Sequence, residues 1–140
     1  MGTIETFDHT ADVGLRVRAS DWNDLFRTAA EGVFDYIVVN RDDVLVRNRE
    51  SIALEGEDLN DLLALWLNEL IFRSETQHRL YTQFEVKVNE NARHLEAEIG
   101  GEPIDRDRHV LDHEVKAVTR HALSVAWDGA QWVAELILDI

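Results

Sequence analysis

The chain switches between two hydrophobic periods, and the switches mark its elements. Leu15 and Val17 alternate with Arg16 and Arg18, the period of a half-buried strand, and Asp12 and Gly14 stand at that strand's entry, facing outward at an edge. Ser20 then offers an N-cap, with Asp21 and Asp24 placing negative charge in a first helical turn. From there Trp22, Leu25, Phe26, Ala29, Ala30, Val33, Phe34 and Ile37 recur on one helical face, opposite Arg27, Thr28, Glu31 and Asp35. Alternation returns over 44–55, where Val44 and Val46, then Ile52 and Leu54, predict two strands about a turn at 47–50.

Asp58 opens a second helix through Leu59, Leu62, Leu63, Trp66, Leu67, Leu70 and Ile71. Leu65 widens its apolar face, so the helix must be covered on more than one side. Residues 80–88 and 95–99 alternate about a turn at 89–92, which predicts a hairpin. Gly100-Gly101-Glu102-Pro103 breaks that pattern, and 104–112 is a polar connector rich in Asp, Arg and His. Residues 123–127 read as strand and pair back through Asp128-Gly129 onto 132–139; 115–122 are read as strand as well, where a helix would fit nearly as well. Together these elements predict an α+β fold: a single compact domain over 1–140, two amphipathic helices packed with antiparallel β-sheets.

Composition narrows the function. At 140 residues and 45% hydrophobic the chain suffices for one core. It has no cysteine, which excludes disulfides and thiolate metal sites and agrees with a reducing compartment. Neither a signal peptide nor an apolar run of the ~20 residues that span a bilayer is present, so a soluble cytoplasmic protein without a membrane partner is expected. Fourteen basic against 28 acidic residues leave a net charge of −14. Such a surface repels phosphate backbones, so tight direct nucleic-acid binding is not expected, whereas cations and basic proteins are drawn to it.

The segment Asp8-His9-Thr10-Ala11-Asp12-Val13-Gly14, the run LLALWLNEL over 62–70, EVKAVTRH over 114–121 and the terminal Leu138-Asp139-Ile140 together resemble the archease family, in order and over nearly the whole chain. One position departs: the family usually carries an aromatic residue where Arg120 stands. The resemblance implies a non-catalytic protein cofactor of the RtcB-type RNA ligase of tRNA splicing and RNA repair, one that promotes GMP attachment to the ligase histidine and restores multiple turnover. It implies alternatively a chaperone or modulator of a tRNA methyltransferase. It also implies a metal site from Asp12, Asp139 and a backbone oxygen of Ile140. Oxygen donors of that kind suit a hard divalent cation, Ca²⁺ first and Mg²⁺ second. By their residue type alone, Asp and Thr at a strand entry are also ordinary turn residues.

Around that set stand His9, which either orients a carboxylate or is a satisfied turn histidine, and Lys116 and His121, as further contacts to the metal shell or the partner. Glu114 and Lys116 read best as a structural ion pair. His109 and His113 are four apart, but the HExxH zinc motif fails because Ala117 stands where its second histidine is needed. A calcium loop beginning at Asp105 fails at Val110 and Lys116. No nucleophile elbow or phosphate-cradling loop supports an enzyme, and a small metal-dependent phosphoesterase is the remaining reading from that class.

Overall fold

The computed structural model describes residues 2–9 and 12–140, and of Asp8 and His9 the backbone alone. In chain order the elements are β1 (Thr3–His9), β2 (Asp12–Ala19), α1 (Trp22–Ile37), a 3-10 turn (Arg41–Asp43), β3 (Asn48–Glu55), α2 (Leu59–Gln77), β4 (Arg79–Val88), β5 (His94–Pro103), β6 (Ala117–Trp127) and β7 (Trp132–Asp139). They form two antiparallel sheets, ordered β1-β2-β7-β6 and β3-β5-β4, with both helices packed against each. The α+β expectation therefore holds.

The helices form where their apolar stripes predict. In α1 the buried set is Leu25, Phe26, Thr28, Ala29, Ala30, Gly32, Val33 and Phe34. Its N-cap is Asp21 and not Ser20: the Asp21 carboxylate accepts the Asp24 N–H at 2.8 Å. Asp58 caps α2 in the same way, accepting from the Asp61 N–H at 2.8 Å. The wide face of α2 is covered as its composition requires: Leu62, Leu63, Trp66, Leu67 and Leu70 are fully buried, and the Trp66 indole donates to the Phe26 carbonyl of α1 at 3.0 Å. Burying a side chain of that size contributes roughly 1.5–3 kcal/mol before entropy is subtracted.

Two expectations change. Only one strand, β3, forms within 44–55; Val44 is buried, but Leu45 donates its N–H to the Glu102 carboxylate at 2.6 Å and Arg47 donates its own to the Gly101 carbonyl at 3.0 Å, so 44–47 is a tethered approach to the strand. Secondly, β1 pairs with β2 from Thr3 opposite Arg18 to His9 opposite Asp12, which makes β2 an interior strand with Asp12 at its end. Over 115–122 the strand expected there forms, beginning at Ala117. It is interrupted between Thr119 and Ser124, where the register with β7 slips and Ala122 adopts φ 62.

Candidate functional site

The pairing of β2 with β7 brings the start of β2 beside the C-terminal end of β7. Val13 stands opposite Leu138, so Asp12 and Asp139, one residue further along each antiparallel strand, oppose each other at the same sheet end. Strand alternation puts both on the face away from the core, since Leu15, Val17, Leu136 and Leu138 are buried on the other. Asp139 is exposed and Asp12 half-buried. On the far side of β7, Ala117 opposes Asp139, and the Lys116 N–H donates to the Asp139 carbonyl at 2.8 Å. Lys116 thus belongs to the rim through its backbone, with its side chain exposed.

On the same face, Phe7 opposes Gly14, and the ring occupies the place a side chain would take: a Cβ on Gly14 would lie 2.3 Å from ring carbons. The Arg16 guanidinium stacks over that ring, 4.9 Å from its centroid. Arg16 also bridges to Glu135, Nη2 to Oε2 at 2.7 Å. A glycine at 14 is therefore set by close approach of an aromatic ring two residues from Asp12.

The remaining sequence-predicted residues divide. The His9 side chain lies outside the described residues; its backbone pairs with Asp12. His121 is not brought to the rim: it sits in the β6 irregularity four residues beyond Ala117, exposed, its N–H bonded to Thr119 Oγ1 at 3.1 Å. That is roughly 13 Å along a strand. Glu114 and Lys116 form no ion pair with each other among the described residues, because both precede β6 and point into solvent. Arg120, at the position that departs from the family pattern, reaches α2 and binds Asp61 Oδ1 at 2.5 Å.

Neither do His109 and His113 share a helical face, since their connector has no helix. His109 is buried: its Nδ1 accepts the Asp105 N–H at 2.9 Å, which leaves Nε2 to donate to Glu102 at 3.0 Å. His113 is exposed and stacks on Tyr36, ring centroids 4.3 Å apart and 17° from parallel. Tyr36 also borders a recess of about 330 Å³ lined with Thr6, Phe7 and Val13, beside the rim. This aromatic pair was hidden in the sequence, where Tyr36 falls near the end of a helical stripe.

Asp12 and Asp139 are oxygen donors of the kind hard cations take, and a third oxygen at Ile140 lies next in the chain. Among the described residues no group of three or more His, Cys, Asp or Glu side chains is close enough to hold a metal ion. A bound Ca²⁺ or Mg²⁺ would therefore draw on backbone carbonyls and waters beside the two carboxylates, a donor set that suits these ions and not zinc. The described helices include none long and apolar enough to cross a membrane.

Two helices against a four-stranded and a three-stranded antiparallel sheet is the archease architecture. The chain belongs to the Archease protein family (MTH1598/TM1083), whose family model matches residues 4–140. It is 40% identical to the archease of Methanopyrus kandleri over 138 residues, covering 97% of this chain and 98% of that one, and 34% identical to that of Pyrococcus abyssi, covering 97% of each. Its fold is similar to the solution structure of Methanobacterium thermoautotrophicum protein 1598, with TM-score 0.80, 28% identity and 98% of both chains covered. A Thermotoga maritima crystal structure described as an archease and possible chaperone has the same fold, with TM-score 0.63, 15% identity and coverage of 97% and 96%.

Proposed function

We propose that this protein is a non-catalytic activator of an RtcB-type RNA ligase, promoting guanylylation of the ligase histidine and its multiple turnover in tRNA splicing and RNA repair. The observation that carries this reading is the approach of Asp12 to Asp139 across β2 and β7, on a chain of net charge −14 and of archease family membership. The pair makes an exposed acidic rim that draws a basic partner and holds a hard divalent cation, Ca²⁺ or Mg²⁺, where partner and cation meet. The protein's own task is to place two carboxylates and the Lys116 backbone at fixed positions on a rigid sheet end. A Ca²⁺ or Mg²⁺ held by Asp12, Asp139 and the Ile140 backbone would supply positive charge to the phosphates of GTP in the ligase.

The test is guanylylation of the purified cognate ligase by GTP with and without this protein. Stimulation by the wild type, lost in Asp12→Ala with the fold intact, is the expected result; full activation by Asp12→Ala refutes the role of the rim. The description of the Thermotoga relative as a possible chaperone favours a second reading, in which this protein modulates the oligomeric state and specificity of a tRNA methyltransferase. Co-purification with each enzyme separates the two.

A further inference from the structure

A cleft of about 380 Å³ opens between the C-terminal end of α2 and the connector that precedes β6. Ile71, Leu80 and Val115 form its buried floor, and Ile37, Ile104 and Leu111 its half-buried walls. The connector is held in place: Leu111 pairs with Val38 in an isolated antiparallel bridge, and the Asp112 and His113 N–H groups donate to the carbonyls of Ile37 and Tyr36 at 2.8 and 3.2 Å. The cleft is thus preformed.

Its mouth has a different character. Glu75, Asp112 and Glu114 stand there with Arg106, His78 and His113, all exposed. Among the described residues Glu75, Glu114 and Arg106 make no ion pair, and Asp112 meets only His113, at 3.1 Å. An apolar floor with an acidic mouth selects its occupant. Polyanions and acidic peptides are repelled by the mouth and by the net charge of −14, and a sugar or free phosphate gains nothing from the floor. The volume lies at the lower end of the ~300–1,000 Å³ typical of ligand pockets, enough for one or two anchoring side chains.

We propose that this cleft seats a large apolar side chain from a partner protein segment whose flanking residues are Lys or Arg. Val115 in its floor is followed by Lys116, whose N–H is bonded to Asp139, so a partner on the rim spans to the cleft along one continuous surface. The inference rests on the ligase-activator reading and adds a second, metal-independent point of attachment.

The test is the affinity of the purified RNA ligase for wild type and for the double variant Glu75→Lys, Glu114→Lys, measured at low and high salt, with Leu111→Ala as a second variant. Both charge changes are at exposed positions, and thermal melting verifies that the fold is kept. At least a tenfold loss of affinity and a flatter salt dependence are expected for the double variant, and a weaker loss for Leu111→Ala, with Ca²⁺ still bound at the rim in both. Wild-type affinity in both variants overturns the cleft while leaving the activator reading in place; absence of ligase binding by the wild type overturns both. Concentration-dependent dimerisation of the wild type that the double variant abolishes would give the cleft to a second copy and overturn the proposal.

Discussion

The side-chain amide of Asn68 on α2 takes both backbone hydrogen-bonding groups of Val118 on β6: Oδ1 accepts the N–H at 2.8 Å and Nδ2 donates to the carbonyl at 3.0 Å. Since β6 is the last strand of its sheet, this amide stands where a further strand would be. Val118 opposes Leu138, beside Asp139, so the contact also fixes the register of the rim.

Asn68→Ala leaves a buried donor and acceptor without partners, which costs about 1–3 kcal/mol. Denaturant unfolding should register that loss. Amide exchange should localise it, with Val118 and Lys116 losing protection before β2 does.

Glu102 is the charged centre of the other sheet's rim. Its carboxylate is 1% exposed and accepts from Arg47 Nε at 3.0 Å, the Leu45 N–H at 2.6 Å, His109 Nε2 at 3.0 Å and Arg108. Burial alone would raise its pKa; the bonds from Arg108, Leu45 and His109 outweigh it and hold the group at about 2, below the ordinary 4.5. With the folded value depressed, the stabilisation is complete above pH ~4.5 and drains away as pH falls towards ~2. Glu102→Gln should destabilise by about 1–3 kcal/mol at neutral pH, the loss of charge-assisted hydrogen bonds to arginines that can return to solvent. Unfolding midpoints from pH 6 to 2 should fall more steeply for the wild type than for the variant.

Gly101 has no room for a side chain: a Cβ would lie 1.9 Å from the Leu80 carbonyl oxygen, which is backbone and cannot swing away. Gly101→Ala is expected to cost about 1–3 kcal/mol or more by forcing β4 and β5 apart. Chemical denaturation measures it, and an unchanged midpoint would contradict the packing described here.

How far the sequence reveals this arrangement depends on the range of each contact. The helices are legible because their burial is local: Leu25, Phe26, Ala29, Val33 and Phe34 are spaced by the helix itself. β1 is not, because as an edge strand it leaves Thr3 to Thr6 exposed and shows no alternation. Val44 and Val46 mislead for the opposite reason, their spacing imitating a strand while Glu102 holds the segment by its backbone. His109 and His113 look like one set and are separated by burial. The nearness of Asp12 and Asp139 follows from the pairing of β2 with β7, strands more than a hundred residues apart, which no local period encodes; family resemblance implies it and the backbone register gives its geometry.

Titrating Ca²⁺ into the isolated protein while following backbone amide shifts shows whether Asp12 and Asp139 together hold a hard cation. Saturable shifts concentrated at 12–14, 116–117 and 138–140 are expected, with a cation-dependent rise in melting temperature. Asp12→Asn and Asp139→Asn should each weaken binding at least tenfold and leave the cation-free melting temperature nearly unchanged. Shifts scattered over the acidic surface, or wild-type affinity in both variants, would contradict a shared site.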